Sequence, residues 1–327
     1  MRERNFAYAV GRIRALETKL LDANQLTRIA EASDLADALS KLGETEYAPF
    51  LAGLKQSTDF ETVLNQELLR VARLITELSG NAPEFQILRQ RYDVQNLKVL
   101  LKKATVQPDE LSCVGMWPPE WLIEKAADRD WTGLPSLLRQ AIEEAQQKLE
   151  TSDDGQEIDR ILDSAWFTLG YQTLKTGISQ LFFQWWLALI DLTNLRTFIR
   201  LRLIGMPLSD FSKFWIDQGT LPLESFNELW DQPDEKVALW LDNTRYDKLL
   251  SGGAETIASL SKLEREFDNY LIDLFYPAKM ISLGIEPIIG YWLAKEYEVK
   301  NLRIILVGKS NQVENAEIKE RLRSAYA

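Results

Sequence analysis

The sequence predicts an all-α protein made of three similar helical repeats, and three observations carry that prediction. A nine-residue signature recurs without a gap as Asp93-Val94-Gln95-Asn96-Leu97-Lys98-Val99-Leu100-Leu101, as Asp191-Leu192-Thr193-Asn194-Leu195-Arg196-Thr197-Phe198-Ile199, and as Glu298-Val299-Lys300-Asn301-Leu302-Arg303-Ile304-Ile305-Leu306. Its apolar positions fall at i, i+3 and i+7 (Val94, Leu97, Leu101 in the first copy), which is one face of a helix and not the alternation of a strand. The 327 residues include only 16 glycines and 11 prolines, fewer than the usual share of about 12%. Scarcity of the strongest helix breakers favours long helices.

Each element can be justified in chain order. Thr45-Glu46-Tyr47 follows an Ala-Leu helix end, as Thr244-Arg245-Tyr246 does later. Phe60, Leu64, Leu68, Val71, Ile75 and Leu78 step by three and four, the spacing of a helix packed on other helices. Pro83 and Pro287 stand 13 and 14 residues before their asparagines, suited to a first helical turn. Gly115-Met116-Trp117-Pro118-Pro119-Glu120 and Gly219-Thr220-Leu221-Pro222-Leu223-Glu224 share Gly-x-x-Pro-x-Glu, a turn feeding a helix with an acid in its first turn. Thr151 to Gln156 reads as an exposed loop. Asp159-Arg160-x-x-Asp163 parallels Glu264-Arg265-x-x-Asp268. With asparagines 98 and 107 residues apart, the approximate units are 1–108, 109–208 and 209–327.

Composition narrows the function. The net charge of −11 makes nucleic acid a poor partner and favours a basic protein surface. No histidine and the single Cys113 exclude an internal disulfide, a Cys/His zinc site and imidazole catalysis. Met1 to Leu21 is too charged for a signal peptide. Ile178 to Leu192, the most apolar stretch, contains Gln180, Gln184 and Asp191 and is too short to span a bilayer.

The signature contains the candidate functional residues: the acids Asp93, Asp191 and Glu298, the asparagines Asn96, Asn194 and Asn301, and the bases Lys98, Arg196 and Arg303. An asparagine recurring beside a buried leucine implies a fixed partner, such as a free backbone group nearby. The acid and base are expected to pair with adjacent elements. The other reading is that the three asparagines line a shared surface for a partner. Ile304 to Ser310 ends like a phosphate-binding loop, but Arg303 replaces the required glycine, so Gly308 is read as a helix terminator. Asp153-Asp154-Gly155-Gln156-Glu157 resembles the metal-binding acids of helical isoprenoid synthases, yet it has no second cluster opposite and is read as a solvated loop. Most of the ten tryptophans are expected in the core, and Cys113 as a buried, inert thiol.

The signatures, together with Phe6-Ala7-Tyr8-Ala9-Val10-Gly11-Arg12-Ile13-Arg14-Ala15-Leu16-Glu17, resemble the C subunit of prokaryotic V/A-type rotary ATPases, whose eukaryotic counterpart is the d subunit. The resemblance covers essentially the whole chain. It implies a funnel of three units about a pseudo-threefold axis, peripheral on the cytoplasmic side of the membrane. The implied partners are the central-shaft subunits of the soluble motor and the membrane proteolipid ring. The implied role is a non-catalytic socket in ATP-driven ion transport or ATP synthesis, with no catalytic, cofactor or metal residue. A free-standing helical adaptor that binds other proteins is the alternative.

Overall fold

Three long helix pairs organise the chain in a computed structural model that describes residues 6–151, 155–247, 249–250 and 253–327. Among the described residues every regular element is helical. The pairs are Phe60–Ser79 with Pro83–Lys102, Gly155–Lys175 with Gln180–Leu203, and Leu260–Phe275 with Glu286–Ser310. The second member of each pair contains a signature.

Local chemistry sets where these helices start and stop. Gly80 ends the first at φ 59°, a left-handed conformation that glycine adopts without steric cost, and Pro83 opens the next at its first position. Ser179 caps the second signature helix, its hydroxyl accepting from the Phe182 N–H at 3.1 Å. Pro287 lies in the first turn of the third.

The packing order closes on itself. Pro83–Lys102 packs on Gly155–Lys175, Gln180–Leu203 on Leu260–Phe275, and Glu286–Ser310 back on Phe60–Ser79. A polar bond pins each step: Trp166 Nε1 donates to the Ile87 carbonyl at 2.9 Å, Trp185 Nε1 to the Leu271 carbonyl at 3.0 Å, and Lys295 pairs with Glu67 at 2.9 Å. The signature helices are linked near their starts. There Glu84 accepts from the Ile178 N–H, Phe85 packs edge-on against Trp292, and Phe182 meets Phe275.

Because neighbours surround them, the signature helices are buried on more than the predicted leucine face. The third buries Ile288, Ile289, Tyr291, Trp292 and Leu293 in succession as well as Val299, Leu302 and Leu306, as befits a helix enclosed on nearly all sides. The unequal asparagine spacing arises mostly just after the signature, where helix Leu208–Phe214 follows the second copy and only the short Pro108–Glu110 turn follows the first. Helices Leu35–Leu42 and Asp234–Asp242, each followed by a Thr-x-Tyr turn, precede the first and third pairs. The helix in the same place before the second pair, Ser136–Thr151, is longer and is followed by no Thr-x-Tyr turn.

Several sequence expectations need correction. Thr151 closes one helix and Gly155 and Gln156 open the next, so they are helical rather than loop, while Ser152, Asp153 and Asp154 lie outside the described residues. Gly308 does not terminate its helix, which continues to Ser310; the left-handed residue is Gln312. Glycine is needed at 308 because a Cβ there would come within 2.7 Å of the Ile318 side chain. Cys113 is exposed, since its neighbours Leu111 and Val114 take the inward positions. The tryptophan expectation holds: six of the ten are buried and the rest partly so.

Candidate functional site

The three signature asparagines make one geometry three times. Asn96 Nδ2 donates to the Ser112 carbonyl at 2.9 Å, and its Oδ1 accepts from the Ser112 N–H at 2.8 Å. Asn194 holds Ile216 in the same way, at 2.8 and 2.9 Å. Asn301 holds Arg323, at 3.1 and 2.8 Å. In each case a side-chain amide pairs with the main-chain N–H and C=O of one residue, as a neighbouring strand would. An asparagine amide supplies the required donor and acceptor at this reach, and it satisfies loop groups that would otherwise be buried unpaired.

The acids grip a second segment. Asp93 accepts from the Met116 N–H at 2.7 Å and the Trp117 N–H at 3.2 Å. Asp191 accepts from the Thr220 N–H at 2.7 Å and the Leu221 N–H at 3.0 Å, and also from the Thr220 hydroxyl. Glu298 reaches across the chain to accept from the Leu21 N–H at 2.7 Å. Gly115 and Gly219 explain the Gly-x-x-Pro-x-Glu motif: a Cβ at either would overlap the carboxylate of Asp93 or Asp191.

Two tyrosines complete this set. Tyr246 donates its hydroxyl to Asp191 at 2.5 Å, and Tyr47 donates to Glu298 at 2.8 Å. Burial and then the adjacent carboxylate raise both phenols well above their ordinary pKa, so they remain protonated donors. These are the tyrosines of the two Thr-x-Tyr turns, whose parallel was visible in sequence while their partners were not.

The bases diverge. Lys98 is buried and pairs with Asp163 at 2.6 Å; Arg303 meets Glu61 at 2.8 Å on the surface. Arg196 does not pair with an adjacent element: it is exposed and makes no ion pair among the described residues. Its counterpart acid, Asp268, is occupied by Lys300 and Arg323 instead.

Sequence reasoning missed a buried charge cluster where the last signature helix meets the first pair. Lys295 sits between Glu67 at 2.9 Å and Glu298 at 2.7 Å, and Arg70 binds the far side of Glu67 at 2.7 Å. Burial alone would depress the Lys295 ammonium, but Glu298 and Glu67 outweigh it and the group titrates above its usual range. The only sequence signal was a lysine three residues before a signature acid.

Large exposed apolar side chains gather at the two ends of the signature helices. Beside their N-terminal ends are Ile178, Tyr276, Met280 (86% exposed) and Leu283, with Tyr8 on a helix whose Arg14 donates to the Ala278 and Ile281 carbonyls. Beyond the C-terminal end of the second are Leu203, Ile204 (62% exposed) and Met206, and Val307 is near the end of the third. Among the described residues no helix is long and apolar enough to cross a membrane.

Comparison with known proteins places this geometry. The chain matches the family described as "ATP synthase (C/AC39) subunit" over residues 9–321. It is 29% identical to the C subunit of the V-type sodium ATPase of Enterococcus hirae, over 96% of this chain and 97% of that protein. It is 27% identical to the C subunit of the A-type ATP synthase of Thermococcus onnurineus, over 96% of this chain and 89% of the relative. Identity to the C subunit of the A-type ATP synthase of Methanocaldococcus jannaschii is 25%, over 97% and 86%. With nearly all of its length matched, the chain belongs to the ATP synthase (C/AC39) subunit family.

Proposed function

We propose that this chain is the non-catalytic socket of a V/A-type ATPase, seated peripherally on the cytoplasmic side of the membrane between the rotary shaft and the proteolipid ring. The three units, 1–108, 109–208 and 209–327, form a funnel about a pseudo-threefold axis. Torque passes through contact surfaces, and the chain moves no ion and hydrolyses nothing itself. The observation that carries this reading is the placement of exposed apolar side chains at both ends of the signature helices, whose starts are linked to one another. Each 20- to 25-residue helix is about 30–37 Å long at 1.5 Å per residue, so the two ends are separate faces able to meet two partners at once. The closed packing order gives the stiffness that torque transfer requires, and the net charge of −11 favours basic partner surfaces.

The test is co-purification after gentle membrane extraction, using a tagged chain and two paired variants. Met280→Asp with Leu283→Asp should release one partner and keep the other. Leu203→Asp with Ile204→Asp should do the converse. Recovery of neither shaft nor ring proteins with the unaltered chain would instead favour a free-standing adaptor.

A further inference from the structure

The three signature acids are not equally sealed, and the difference singles out one joint. An ionised carboxylate offers about four acceptor sites. Asp191 has four donors: two main-chain N–H groups, the Thr220 hydroxyl and the Tyr246 hydroxyl. Glu298 has the Leu21 N–H, the Tyr47 hydroxyl and the Lys295 ammonium. Asp93 is fully buried but has only the Met116 and Trp117 N–H groups. The turn that supplies a tyrosine to the other two has no counterpart at this joint: the helix in that place, Ser136–Thr151, is followed by no Thr-x-Tyr turn, and no tyrosine lies between Tyr92 and Tyr171.

We infer that the contact between Asp93 and the Gly115–Trp117 turn is a proton-gated joint, closed when the carboxyl is neutral and loosened when it ionises and draws in water. Among the described residues, Arg89 is the one charged side chain whose field reaches Asp93. It lies on the same helix and is committed to the Val114 and Gly115 carbonyls and the Thr76 hydroxyl. Arg89 is the charge that acts on the Asp93 carboxyl, and the Met116 and Trp117 N–H groups are that carboxyl's main-chain partners. Burial, only partly offset by the Met116 and Trp117 N–H groups and then by Arg89, lifts the Asp93 carboxyl to about 7. A state in which the turn lifts and water reaches Asp93 returns the group to the ordinary carboxylate range, so opening releases one proton. Linkage then makes opening more favourable as pH rises from the open-state value toward 7. Trp117 stacks on Trp121, so the turn's motion passes into the helix that follows it.

Residue-resolved amide hydrogen exchange on the full chain between pH 5 and 8.5 tests this. After correction for intrinsic exchange, the opening constants of the Met116 and Trp117 amides should rise about tenfold per pH unit and level off near pH 7. The Thr220 and Leu221 amides, held by the tyrosine-sealed Asp191, should show no such rise. Tyr246→Phe should confer a pH response on those two, and Asp93→Asn should abolish it at Met116 and Trp117. Flat opening constants at Trp117, an equal rise at Leu221 in the unaltered chain, or a response that survives Asp93→Asn would each overturn the proposal. The comparison of the two joints within the unaltered chain decides the matter even if the Asp93 variant fails to fold.

Discussion

Asn194→Leu should be the most costly of the three asparagine replacements, and the structure supplies the reason. Leucine shares asparagine's forked outline, so the change removes the amide without opening a cavity. What remains is the Ile216 N–H and C=O, both buried, with no partner. Each unsatisfied buried group costs about 1–3 kcal/mol, so the sum is about 2–5 kcal/mol, a large part of a typical domain's stability. At the other two sites the partners, Ser112 and Arg323, are only partly buried and water can replace some of the lost bonding. Asn96→Leu and Asn301→Leu should therefore cost about 1–2 kcal/mol. Urea unfolding followed by circular dichroism would measure this, with unchanged slopes allowing midpoints to be compared directly. An Asn194→Leu midpoint equal to the parent's, or one above that of Asn96→Leu, would refute the reasoning.

Gly219→Ala should lower stability by about 1–3 kcal/mol, because the new methyl is driven into the Asp191 carboxylate; thermal unfolding checks it, and a neutral effect would contradict the close approach. Lys295→Met should cost about 3–5 kcal/mol by leaving Glu67 and Glu298 facing each other in the interior, and restoration of stability by adding Glu67→Gln would identify the charge imbalance as the cause. The Asp93 carboxyl has a folded-state pKa of about 7 against an ordinary value of 3.8. Its raised value means that its stabilising contribution is complete below pH 3.8 and is lost as pH rises through about 7. The stability difference between the parent chain and Asp93→Asn should accordingly shift against the parent by up to about 1.4 kcal/mol per pH unit across that window, and a constant difference would argue against it.

The signature told its own story well where the physics is local. Helical phase follows from side-chain spacing, so the placement of Val94, Leu97, Leu192, Leu195, Val299 and Leu302 inward could be read directly. Proline at a helix start is likewise a local rule, and Pro83 and Pro287 obey it. The partners of the acids were not legible, because backbone N–H groups carry no sequence signature. Glu298 reaches Leu21, 277 residues away, a pairing that only the closed packing order creates. The glycines at 115 and 219 were visible as a shared motif, but their reason, a carboxylate pressed against the Cα, needs the fold. Arg196 shows the limit of repeat logic: the same residue type at the same position is left in solvent because Asp268 is already bound by Lys300 and Arg323. Cys113 shows another, since apolar neighbours in sequence do not bury a residue whose backbone turns it outward.

Electron cryomicroscopy of the ATPase isolated through a tag on this chain tests the socket reading most directly. The reading predicts the chain between shaft and proteolipid ring, with Met280 and Leu283 against one partner and Leu203 and Ile204 against the other. Particles that place the chain at the periphery, with either apolar end in open solvent, would contradict it.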